Sequence, residues 1–188
     1  TQLNDYYNVD NPANTNWQDE VLRTGFSHNH NVSINGGNEK TNYSASLNFQ
    51  DREGVVRGTN MDRLNARTFV QTKALNNRLE LALSLNARIR NSSTGPTDIQ
   101  GRSVLDAMYY YNPLVPVKNE DGTWYRNLNI SQNYNPMSMI NEDRYDIKEK
   151  LLKGTAQATL HIIDGLDLNL NLSYKNQQYM YNIYNKTQ

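Results

Sequence analysis

Three groups of side chains in this sequence have types and spacings that could do chemistry. His28 and His30 stand two residues apart. On a strand they would project from one face and could share a metal ion. No third ligand accompanies them, and an interfacial histidine pair is the simpler expectation. Asn119, Glu120 and Asp121 gather oxygen ligands ahead of Gly122. The spacing of a calcium loop is missing, however, and Asn-Glu-Asp-Gly is turn chemistry. The third group is aromatic: Tyr109, Tyr110, Tyr111, Trp124 and Tyr125, with Tyr134 close behind. Aromatic planes stack on sugar rings while Asn, Asp and Arg bond hydroxyls, so these five are the candidate ligand-binding residues. The competing role for such rings is packing of the segment against itself or a partner. No serine or histidine stands in a nucleophile-elbow or triad context, and no glycine motif suits a phosphate. Cys is absent, which excludes disulfides and thiolate chemistry. No catalytic residue, metal or cofactor is expected.

The elements that would position these groups are strands. In Arg78–Asn91, Leu79, Leu81, Leu83, Leu85, Ala87 and Ile89 alternate with Glu80, Ala82, Ser84, Asn86, Arg88 and Arg90. In Leu166–Lys175, Leu166, Leu168, Leu170, Leu172 and Tyr174 alternate with Asp167, Asn169, Asn171, Ser173 and Lys175. A strand puts such leucines on one face, whereas a helix would scatter them around its circumference. Thr41–Gln50 (Tyr43, Ala45, Leu47, Phe49) and Leu151–Ile162 (Leu152, Ala156, Ala158, Leu160, Ile162) repeat the pattern. Phe26–Asn35 and Arg63–Ala74 show it more faintly.

The connections alternate in length. Gly36-Gly37-Asn38-Glu39, Leu75-Asn76-Asn77 and Asp164-Gly165 are short, and Asp-Gly signals a type I′ hairpin. Between them lie Asp51–Met61 and Ser92–Lys150, both longer. An up-and-down meander with these lengths sends every tight turn to one end and every long connection to the other, as in outer-membrane barrels. The runs also reach or exceed the roughly 9–11 residues of a tilted membrane strand. Tyr43, Phe49, Tyr174, Tyr179 and Tyr181 fall near strand ends, where aromatic girdles sit. In the longest connection, Ser103–Tyr111 predicts a short helix, with Asp106 three residues after a Ser103 cap. Pro113 and Pro116 then favour extended chain.

Composition is compatible with this reading. The 188 residues have a formal net charge of +0 and a mean hydropathy of −0.84, and no stretch approaches a membrane-spanning helix. A barrel strand is apolar on one face only, so a low average is expected of it. The balanced charge gives no reason to expect nucleic acid as a partner. Asn is the commonest residue, and Tyr (13) far outnumbers Phe (3). Thr1 reads as the start of a mature or excised segment.

The run Asn16-Trp17-Gln18-Asp19-Glu20-Val21-Leu22-Arg23-Thr24-Gly25-Phe26, followed by Asn29–Tyr43 with its Gly36-Gly37, resembles the early barrel of the SusC/RagA-type TonB-linked outer-membrane proteins of Bacteroidetes. Ser46–Val56, Asn112–Gly122 and the hairpin from Gly165 are similar as well. The resemblance implies an all-β fold: an antiparallel meander of about six long strands within a barrel of about 22 strands with a plugged lumen. It implies uptake of glycans or peptides across the outer membrane with a SusD-like surface lipoprotein, driven by TonB through a plug not contained in this chain. Expected surroundings are outer-membrane lipid and the glycan or peptide substrate. Residues 1–25 would be an extracellular loop leading into the barrel, 26–91 four barrel strands, 92–150 a long extracellular loop with a short helix, and 151–188 two more strands and the start of the next loop. The rival expectation is a soluble secreted β-sandwich that binds carbohydrate through the loop aromatics.

Overall fold

The computed structural model describes residues 12–94, 103–126 and 134–184. Six strands dominate it: β1 (Ser27–Gly37), β2 (Thr41–Glu53), β3 (Asn60–Ala74), β4 (Leu79–Thr94), β5 (Arg144–Ile163) and β6 (Leu166–Tyr184). They form one antiparallel sheet in chain order. Three short helices complete the described chain: α1 (Trp17–Val21), α2 (Val104–Tyr110) and α3 (Pro136–Glu142). The expected antiparallel meander is therefore present, with its three tight turns at one end and its helices and longer connections at the other.

Register turns six separate alternations into two continuous faces. Reading across the sheet, Val32 pairs with Leu47, Leu47 with Ala66, and Ala66 with Ala87. Ala87 pairs with Leu152, while Leu83 pairs with Ala156 and Ala156 with Leu172. Because side chains alternate strictly, one in-register pairing fixes the face of every residue along both strands. Through the middle of the strands one face is apolar from β1 to β6, and toward the loop end the same face turns polar with Asp51, Asp62, Asn91, Lys148 and Lys150. The other carries Asn, Ser, Gln, Arg and Lys. Nothing among the described residues covers the apolar face: Val32 is 72% exposed, Leu83 57% and Leu172 59%. A sandwich would lay a second sheet there, and the helices pack on one another instead.

Several local features depart from the sequence expectations. β5 begins well before its alternating run and β6 ends well after its own, so the β4–β5 connection is shorter than Ser92–Lys150. Pairing continues where the apolar alternation stops, as Glu149 opposite Tyr179 shows. The Asp164-Gly165 turn is not type I′, which needs positive φ at both residues. Only Gly165 has it (φ 86°), and a register shift between His161 and Ile163 marks a bulge beside the turn. The Leu75-Asn76-Asn77 turn instead puts three successive residues in the left-handed region, at φ 51°, 53° and 67°. Tyr179 and Tyr181 are not part of an apolar-face girdle. They stand an odd number of residues from Tyr174 and belong to the polar face, whereas Tyr43, Phe49 and Tyr174 lie on the apolar one.

Candidate functional site

The loop end of the sheet carries a small layer with its own core. Helices of five or seven residues are not stable alone, so packing and caps must hold them. Asn16 caps α1, and Ser103 and Asp106 form the expected capping box on α2. Asn135 caps α3, with Pro136 at its start. Trp17, Tyr111 and Val115 are buried together, with the Trp17 and Tyr111 rings edge to face at 4.8 Å. Val21, Val104 and Met139 form a second cluster beside them. The Trp17 indole donates to Asn112 O at 3.0 Å. The Asn135 amide donates to Val117 O at 2.8 Å and to Tyr125 O at 3.2 Å, pinning the proline-containing stretch to α3.

This layer is tied to the sheet through the β2–β3 connection. Arg23 N donates to Val55 O and Arg57 N to Val21 O, at 2.8 and 2.9 Å. The Arg23 guanidinium reaches Gly54 O and Thr59 O, each at 3.1 Å. Gly25 fits because a Cβ there would lie 2.5 Å from the Glu53 carbonyl oxygen.

The five candidate aromatics do not form one surface. Tyr111 is buried at 4% exposure as a packing residue, and its hydroxyl donates to Tyr125 O at 3.2 Å. Tyr125 is partly buried against the same cluster. Trp124 lies on a tight hairpin, paired with Lys118, whose ammonium sits 4.5 Å from the indole centroid. Tyr109 and Tyr110 point outward, 75% and 73% exposed, with their rings edge to face at 5.1 Å. The Asn119–Gly122 stretch is the turn of the Trp124 hairpin, with Gly122 at φ 85°. Asp121 serves that turn: the Thr123 hydroxyl and then its amide bond the carboxylate and hold its pKa below the usual range. His28 and His30 do share a face, with rings 5.1 Å apart, beside Phe26 and Phe49. No cluster of three or more metal-ligating side chains occurs among the described residues.

The polar face holds a second concentration of functional groups, which sequence reasoning missed. Glu149 is buried at 2% exposure. Its Oε1 lies 2.7 Å from Arg88 Nη2 and accepts from Gln177 Nε2 at 2.8 Å, while Oε2 lies 3.1 Å from Arg90 Nε. A buried carboxylate is tolerated only with such partners. The available signal was an acid in phase with the polar positions of β5, but its partners on β4 and β6 appear only once register is known. Basic side chains outnumber acidic ones on this face: Arg63, Arg67, Lys73, Arg88, Arg90, Lys153 and Lys175 stand with Glu80, Glu149 and Asp167.

No protein-family model matches the chain. It is similar to TonB-dependent receptor P3 of Formosa agariphila, 26% identical over 176 residues, covering 90% of this chain and 17% of that protein. It is 32% identical over 131 residues to TonB-dependent receptor SusC of Bacteroides thetaiotaomicron, covering 65% of this chain and 12% of that protein. Among solved structures, the RagAB peptide importer in its closed-closed state superposes with a TM-score of 0.70 at 17% identity, over 90% of this chain and 20% of that chain. The open-open state gives 0.68 at 18% identity, over 97% and 23%. At these identities the solved importer speaks for the fold. The chain spans less than a quarter of each of these proteins.

Proposed function

From a chain that is SusC/RagA-like in sequence and in fold, over part of those transporters' length, we propose that these six strands are barrel wall of a TonB-dependent outer-membrane nutrient importer. The observation that carries this reading is the apolar face, continuous in register over all six strands and uncovered. From Leu79 to Ile89 it runs about 34 Å along β4 at roughly 3.4 Å per residue. At a tilt of about 45° that spans about 24 Å of height, which matches the apolar band of outer-membrane barrels, about 25 Å tall. So large an apolar surface would be an aggregation hazard in water. Against lipid it is the favourable face.

The polar face then lines the lumen, and the layer of helices lies outside the cell. The wall contributes to transport by shaping and charging the lumen, not by catalysis. Energy comes from TonB through a plug supplied elsewhere in the parent protein. A SusD-like surface lipoprotein is the partner at the outer end, and a glycan or peptide is the cargo. Of the candidate aromatics, Tyr109 and Tyr110 keep the accessibility that contact with lid or cargo requires, while Trp124 is half-buried beneath Lys118. Tyr111 and Tyr125 support them from beneath.

Sidedness tests this reading. In the full-length protein, an epitope inserted between Asp121 and Gly122 is expected to bind antibody on intact cells. One inserted between Asn76 and Asn77 should bind only after the outer membrane is permeabilised. The reverse pattern, or equal binding at both positions before permeabilisation, would refute the proposed orientation.

A further inference from the structure

We infer that Arg63 and Arg90 form an anion-accepting site on the polar face, built to take a carboxylate presented inside the lumen. The inference rests on the proposed reading of that face as lumenal. Arg63 and Arg90 are direct cross-strand partners on β3 and β4. Like charges directly opposite each other destabilise a sheet, so a counter-charge should stand near both. Glu149 serves only one side of the pair. It is two strands from Arg63, about 10 Å in the sheet, and its oxygens already face Arg88, Arg90 and Gln177. Arg63 makes no ion pair among the described residues, unlike Arg88 and Arg90, and its Nε, like theirs, is buried without a hydrogen-bond partner. The nearby acids Asp51 and Asp62 lie on the opposite face, where Asp62 accepts from Asn91. Glu149 thus fixes Arg88 and Arg90 in place, while the guanidinium beyond them remains uncompensated. A planar fork of donors of this kind matches a carboxylate. The carboxylate could belong to a polypeptide segment filling the lumen or to a solute passing through it.

The test uses the full-length protein in detergent, comparing wild type with Arg63→Gln and Arg63→Lys. Melting is followed by loss of the heat-modifiable band, with sodium glutarate or with sodium chloride at equal ionic strength. If the carboxylate is the protein's own, Arg63→Gln lowers the midpoint by at least about 2 °C in chloride, Arg63→Lys recovers part of it, and glutarate changes nothing. If it belongs to a solute, glutarate raises the wild-type midpoint, Arg63→Gln abolishes that rise, and in chloride Arg63→Gln melts at or above wild type because the facing like charges are relieved. Overturning the inference takes an Arg63→Gln protein that melts at or above wild type in chloride while glutarate stabilises both equally or neither. A nitroxide at Ser84 separates this failure from failure of the lumenal reading. If lipid-dissolved oxygen relaxes it more than an aqueous nickel chelate does, the face itself has been misread.

Discussion

Leu83→Arg in the full-length protein is expected to destabilise the folded barrel in lipid by about 2–4 kcal/mol, the cost of a charge near the bilayer midplane. Ser84→Arg, one residue along the same strand, is expected to change it by less than about 1 kcal/mol. Leu83 sits near the middle of the β4 apolar run, between Val70 on β3 and Ala156 on β5. Its side chain is more than half exposed in the isolated sheet, so in lipid an arginine there would displace hydrocarbon contact with a charge. Ser84 lies between Phe69 and Thr155 on the other face, where an added guanidinium meets water. Guanidinium unfolding in lipid vesicles measures both. Equal losses for the two variants would mean that the faces do not differ in their surroundings.

Trp17→Ala is expected to cost about 3–5 kcal/mol, as truncation of a large buried aromatic does. The loss should be confined to the loop-end layer. Removing the indole empties the space against Tyr111 and Val115 and leaves the buried Asn112 carbonyl without the Trp17 donor. The three helices have little but this packing to hold them. Trypsin should then cut the variant at Lys118 and Arg126 many times faster than wild type, while the strands stay protected. Trp17→Phe keeps a ring and should fall between. Unchanged cleavage in Trp17→Ala would show that the layer draws its stability from elsewhere.

The strands were legible wherever a strand has one apolar and one polar face. Leu79–Ile89 and Leu166–Tyr174 alternate so strictly that their faces could be assigned before pairing was known. Legibility ended where the two faces stopped contrasting. The Asp146–Lys150 part of β5 and the Asn176–Tyr184 part of β6 lack the alternation that marks a strand, yet their backbones stay paired. The same loss of phase left Tyr179 and Tyr181 grouped with Tyr174 near a strand end, although register puts them on the other face. α1 and α3 are too short to show a helical period, though Asn135-Pro136 is a start signal that can be recognised in hindsight. α2 announced itself through Ser103 and Asp106. Of the aromatic candidates, sequence identified the right segment but could not tell Tyr109 and Tyr110, which face out, from Tyr111, which turns into the core. The Glu149 cluster is built from three strands, so only register could assemble it.

The most direct test of the membrane-wall reading is a nitroxide scan from Leu79 to Arg90 in the full-length protein reconstituted in lipid. Labels at the odd-numbered positions are predicted to be relaxed mainly by lipid-dissolved oxygen. Labels at the even-numbered positions should be relaxed mainly by an aqueous nickel chelate, with the preference reversing at every residue. Chelate accessibility at Leu81, Leu83 and Leu85 equal to that at Ala82, Ser84 and Asn86 would contradict it.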